Sequence, residues 1–223
     1  MITKYKHVLF IVFVVFFGLS HVNAQEQEED KKVNEKLYRK LEFFDLRGTN
    51  AFDAAVGTAL LGGDFPKPEF ETYFRLGYKR FINEHIGISF GFNKYSLAFD
   101  DTYYQGFMSF DLNLEYFITP YNNVSPFIYG GYGYNASNYF EGTGAKVQGG
   151  LGVEFIAVEK IGIKLFGEYN HVISNEANPI ILEESSISFL RIGLGVNFYF
   201  GGKKKKERLL EEVETVIQSN YIK

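Results

Sequence analysis

The chain has no cysteine, so it has no disulfide frame, no thiol chemistry and no lipid-modified cysteine. Histidine is scarce, at four residues, and none of them clusters in the spacing of a zinc site. Neither sign of charge dominates: 23 basic against 27 acidic side chains give a formal net charge of −4. A nucleic-acid binder needs a concentrated basic face, and this balance argues against one. Past residue 24 there is also no apolar run of the roughly 20 residues that a spanning helix requires. If such a chain crosses a membrane, it must do so as a closed barrel.

The first 24 residues are a different matter. Lys4 and Lys6 give a positive start, residues 8–17 are an unbroken apolar run, and Val22-Asn23-Ala24 offers a cleavage site. We expect a signal peptide there. Its removal takes away two lysines and no acid, which moves the formal charge from −4 to −6. Residues 25–49 read as a charged linker, within which Leu37, Leu41 and Phe44 fall at helical spacing and allow a short amphipathic helix.

What the sequence has in quantity is Phe (24), Tyr (16) and Gly (23), a strand- and turn-rich composition suited to pleated surfaces and membrane interfaces. From Asn50 the hydrophobic period becomes two. Bulky apolar residues alternate with small or polar ones over 52–60, 71–79, 86–93, 108–116, 147–155, 161–170 and 190–200. A further run, 127–135, carries glycine in both registers, and its faces cannot be assigned. Eight segments of about ten residues suit tilted strands crossing hydrocarbon. The connections alternate between short (82–85, 119–125, 157–160) and longer, more polar ones (100–105, 136–144, 174–185). This pattern predicts an all-β fold: an eight-stranded antiparallel up-and-down transmembrane barrel over 50–200, with both termini in the periplasm.

Alternation alone does not say which face is outside, since a soluble barrel has the same period with its faces reversed. Glycine decides. Gly57, Gly77, Gly87, Gly91, Gly150, Gly152, Gly162, Gly193 and Gly195 all fall on the polar face. The narrow lumen of an eight-stranded barrel has room for few side chains, so small residues belong there and bulky ones face lipid. Asp53, Glu71, Asp111, Glu115, Glu154 and Glu168 then share the lumen with Arg75, Lys79, Lys164 and Arg191. Charges in such a space must pair. Hairpin counting sets Glu154 near Lys164 and Arg191 beside Glu168. Such a charged lumen could serve as a narrow polar channel or proton path, but eight strands leave no open pore, and the expected product is a packed ionic core that fixes register.

Little else suggests chemistry. His7 and His21 leave with the signal peptide, His85 lies in a short turn, and His171 stands near the outer end of the seventh strand. Ser174 and Glu176 follow His171, so a rim hydrolase acting on lipid has to be considered. A serine three residues on would, however, lie on the opposite strand face. Asp100-Asp101 and Glu183-Glu184 are ordinary acidic loop pairs rather than metal sites. Gly130-Gly131 and Gly149-Gly150 lie inside strand patterns, so they do not cradle phosphate. No cofactor is expected. Tyr103, Tyr104, Tyr139 and Phe140 read as interfacial girdle or as a sticky outer surface.

The tail is unusual. Phe200 closes the last strand with an aromatic that resembles the sorting signal read by the barrel-insertion machinery, and Gly201-Gly202 and the lysine run 203–206 follow it. Leu209, Leu210, Val213, Val216 and Ile217 then make an apolar stripe among glutamates, which implies a periplasmic helix that contacts a protein or packs on the barrel.

The segments EFETYFRLGYKR (69–80), FMSFDLNLEY (107–116), KVQGGLGVEF (146–155) and RIGLGVNFYF (191–200) resemble those of small outer-membrane barrels typified by the OmpA transmembrane domain and OmpX. More loosely, they are similar to barrel modules that accompany curli-secretion proteins. The resemblance implies outer-membrane lipid as surroundings. It also implies a non-enzymatic role as anchor or accessory in a surface or secretion assembly, such as export of amyloid-like fibres.

Overall fold

The computed structural model describes residues 26–62, 67–100, 103–138, 140, 142–173 and 188–219. The expected signal peptide lies outside these residues. So do Ser174, Glu176, Asp101, Tyr139 and the 183–184 acidic pair. By compactness the chain divides into a unit of residues 1–36 and one of 37–223. The described part of the first is helical; everything below concerns the second.

Helix α1 (Glu26–Leu46) is followed by eight strands: β1 (Asn50–Gly62), β2 (Pro68–Phe81), β3 (Ile86–Phe99), β4 (Tyr103–Phe117), β5 (Val124–Ser137), β6 (Thr143–Val158), β7 (Ile161–Val172) and β8 (Ser188–Phe200). A second helix, α2 (Lys203–Ser219), closes the described chain. Each strand pairs antiparallel with the next, and β1 also pairs with β8 from Asn50↔Phe200 to Gly62↔Ser188, so the sheet is a closed up-and-down barrel. Closure removes the free edges that an open sheet would leave unpaired. No described helix is long and apolar enough to cross a membrane; crossing falls to the strands.

The strands are longer than the ten residues expected. β3 and β4 keep pairing as far as Phe99↔Tyr103, leaving only 100–102 between them where a longer loop was expected. The alternation fades in that stretch: Ser96, Leu97 and Ala98 are all buried, so periodicity stopped marking a strand that backbone pairing continues. α1 likewise exceeds the short helix expected.

Side chains sort by parity. Phe52, Phe90, Leu112, Leu114, Leu151, Leu165 and Leu194 point outward and are exposed, Leu151 by 67%. A continuous apolar belt of this kind is a surface for hydrocarbon, not water. Phe52, Tyr78 and Phe200 cluster on the outside at the end bearing both helices, with the Phe52 and Phe200 rings stacked 5.0 Å apart. Aromatics at that level suit a lipid–water interface. In β5, which could not be read from sequence, Ser125, Phe127, Gly133 and Asn135 turn inward, and Ile128, Tyr132 and Tyr134 outward. Inward glycines make room for large neighbours. A Cβ at Gly150 would lie 2.4 Å from the Tyr129 ring, and one at Gly193 would lie 2.6 Å from that of Phe166.

Candidate functional site

The lumen is the site the sequence pointed to. Buried in it are the cations Arg47, Arg75, Lys79, Lys146, Lys164 and Arg191 and the carboxylates Asp53, Asp111, Glu115, Glu154 and Glu168. In a space this dry each charge needs a partner, because an isolated one costs several kcal/mol. The charges form three groups along the barrel axis.

The group nearest the loop end centres on Arg191. Its Nε donates to Glu168 Oε1 at 2.8 Å, and its Nη2 donates to the same oxygen and to Asp111 Oδ2 at 2.7 Å. Lys146 Nζ reaches that Asp111 oxygen at 2.9 Å and Asn170 Oδ1 at 2.6 Å. The rings of Tyr73, Tyr95 and Phe189 stand 5.0, 5.3 and 5.7 Å from the guanidinium carbon, within cation–π reach. The Tyr73 and Tyr95 hydroxyls donate to Asn93 and Asn135. Seven of the eight strands contribute to this one node.

Below it, Asp53 takes Arg75 Nε at 3.1 Å on one oxygen and Lys164 Nζ at 3.2 Å on the other. Lys79 pairs with Glu115 at 2.6 Å and stands 4.8 Å over the Phe117 ring.

The third group lies at the end bearing the helices and depends on a residue outside the strands. Arg47, just past α1, is fully buried. Its Nε and Nη2 both lie 2.8 Å from Glu154 Oε2, while Nη1 donates to the carbonyls of Pro120 at 2.6 Å and Asn122 at 3.2 Å. The other Glu154 oxygen accepts from Asn197 and Tyr199. α1 is held in this mouth from behind. Lys160, in the β6–β7 turn, donates its ammonium to the carbonyls of Phe44 and Arg47, and its backbone N–H to that of Leu46 at 3.1 Å. These are orphan carbonyls of the last helical turn. Burial pushes the Lys160 pKa down, against the pull of Asp45. Phe43 packs edge-on to Phe81, with ring centroids 5.3 Å apart. At Gly202, φ is +94° and a Cβ would strike the Phe44 ring at 2.8 Å, so only glycine lets the chain turn there into α2.

Nine of the ten charged residues expected in the lumen are buried there. Glu71 differs. It faces inward by register, but it is only half-buried near the loop end, and no charged partner holds it among the described residues. One expected pair is corrected. Glu154 and Lys164 are direct cross-strand neighbours, as counted. Yet Glu154 binds Arg47 and Lys164 reaches Asp53, because an arginine fork arriving at the mouth satisfies the glutamate and frees the lysine. The count also passed over Lys146 and Arg47. Lys146 shares parity with Gln148 and was readable, whereas Arg47 sits between a helix and a strand, where no period applies.

Phe200 sits on the outer girdle. Leu209 packs, half-buried, on the cluster containing Phe43 and Phe44, and Leu210 is exposed. The side chains of Val213, Val216 and Ile217 lie outside the described set. His85 is satisfied in its turn: Nδ1 contacts the Phe117 carbonyl at 2.7 Å and the ring stacks on Tyr116. His171 is opposite Val147 and Ser188, half-buried at the loop end, with the parity of the lipid-facing residues. Tyr103 stacks on Phe99, whereas Tyr104 and Phe140 are exposed. Among the described residues no group of three or more His, Cys, Asp or Glu is placed to hold a metal ion.

No family model and no curated protein matches the chain. Among solved structures, Neisserial surface protein A superposes with a TM-score of 0.55 at 12% identity, over 69% of this chain and 98% of that one. The attachment invasion locus protein Ail of Yersinia pestis gives 0.47 at 15%, over 69% and 99%. The outer-membrane enzyme PagL gives 0.41 at 15%, over 67% and 99%. At 12% identity what the chain shares with Neisserial surface protein A is the fold, that of a small eight-stranded outer-membrane barrel. The matches lend the curli-secretion resemblance no support.

Proposed function

We propose that the chain is a non-enzymatic outer-membrane anchor with both termini in the periplasm, serving as an accessory component of a surface or secretion assembly. The observation that carries this reading is the lumen. It is crossed by buried ion pairs and closed at the helical end by Arg47, so the barrel holds itself in lipid and conducts nothing. Interaction is then left to the outer loops and to the base formed by α1 and α2. Phe200 is the residue the insertion machinery would read, and the stripe of α2 is the face a periplasmic protein would meet. Export or anchoring of amyloid-like fibres is the assembly toward which the sequence resemblance points.

The test has three arms. Cross-linking from α2 in intact cells should capture one envelope protein, and deleting residues 207–223 should release it. Planar bilayers should show no unit conductance. Replacing His171 should leave lipid-A acylation unchanged. A discrete conductance, or an acylation change on losing His171, would move the reading to a narrow channel or a rim hydrolase.

A further inference from the structure

Beyond this role, we propose that the helical base holds a binding site for one acidic phospholipid, with its phosphate among Lys40, Lys205 and Arg208 and the start of an acyl chain on Phe44, Phe81 and Leu209. A cavity of about 340 Å³ lies there, bounded by the end of α1, the β2–β3 turn and the first turns of α2. That volume is at the small end of ligand pockets, suited to part of a lipid rather than to a whole folded partner.

Three features identify the occupant. The floor is apolar, with Phe44 and Phe81 buried and Leu209 half-buried. The rim carries three cations against one carboxylate, Glu84, so the site favours an anion. Neighbouring lysines are engaged elsewhere, Lys206 with Asp45 and Lys203 with Glu207. The mouth includes Ile82, which is 60% exposed and continues the outward row of Leu76 and Tyr78. A lipid lying against that row at the level of the Phe52–Tyr78–Phe200 girdle thus has its headgroup beside the cations. Free phosphate would use the cations and leave the aromatic floor wet, whereas an apolar peptide would leave the cations unused. An amphipathic anion uses both.

The full mature chain in a nonionic detergent, observed by native mass spectrometry, tests this. Phosphatidylglycerol, phosphatidylcholine and inorganic phosphate are added in separate series. One phosphatidylglycerol per barrel should be retained, about tenfold more tightly than phosphatidylcholine, and inorganic phosphate should not displace it. The triple change Lys40→Glu, Lys205→Glu, Arg208→Glu should bring phosphatidylglycerol down to the phosphatidylcholine level. Leu209→Trp, which fills the floor and touches no lumen residue, should weaken both lipids. Lys67→Glu, at the loop end, should change neither. Equal retention of the two lipids, or undiminished phosphatidylglycerol in the triple variant, overturns the site. Displacement by inorganic phosphate shows an anion site without a lipid. Each outcome is independent of whether α2 binds a protein, so the failure of the anchor reading and of this one are separable.

Discussion

The two ends of the lumen solve the same problem with different materials. At the loop end Arg191 is neutralised by Glu168 and Asp111 and surrounded by three rings, all supplied by strands. At the helical end Glu154 is neutralised by Arg47, which the chain delivers from outside the barrel, and which Lys160 and the Phe43–Phe81 contact hold in place. One group forms whenever the barrel closes. The other forms only when α1 docks. A node built from the strands should fail with the whole fold, while a docked one should fail locally and leave the barrel standing.

Removing Arg191 is the strongest test of that contrast. Arg191→Met leaves Glu168, among the described residues, with Asn170 as its remaining hydrogen-bond partner and Asp111 with Lys146 and Asn93. Breaking a buried pair from one side costs about 3–5 kcal/mol. Urea unfolding in detergent micelles should show a loss of that size, in one cooperative transition. Pairing it with Glu168→Gln should recover part of it, since no uncompensated carboxylate then remains beside the vacancy.

Arg47→Met should cost less, about 1–3 kcal/mol, because Glu154 keeps the donors Asn197 and Tyr199 and water can enter once α1 lifts. Its signature should differ as well. Amide exchange should accelerate in residues 37–47 while the strand amides stay protected. If Arg47→Met instead unfolds the barrel as completely as Arg191→Met does, the two ends are one cooperative unit and α1 does not fail locally.

The same contrast explains what could be read from sequence. A strand buried on one face writes its orientation every second residue, so Arg75, Asp111, Glu168 and Arg191 were placed in the lumen by counting alone. β5 failed that reading because its glycines serve two purposes. Gly131 and Gly133 clear space inside for Asn113 and Asp111, whereas Gly130 faces out, opposite Gly149 of β6. Pair identity was only partly legible. Register makes Glu154 and Lys164 neighbours, but which oxygen a flexible ammonium finds depends on what else enters the mouth. Arg47 was invisible for that reason. A residue between α1 and β1 obeys neither period, and only the closed barrel shows that its side chain ends at Glu154.

Lys160 sets the smallest of the expected effects and the most local. It is the cap on α1, donating to two terminal carbonyls, and at φ +68° it also makes the tight β6–β7 turn. Its lowered pKa records the desolvation that offsets the cap, so the net value should stay near the usual range for a cation at a helix C-terminus, about 0.3–1 kcal/mol. Lys160→Met keeps the stem and removes only the charge and its hydrogen bonds. Global urea stability should therefore barely move. Protease cleavage in α1 should become faster by about two- to fivefold, the same increment expressed as a local opening equilibrium. Lys160→Arg should restore protection, because the guanidinium can still reach both carbonyls. If Lys160→Met leaves cleavage of α1 unchanged while Arg47→Met accelerates it, the helix is held by its arginine alone, and the lysine serves the turn.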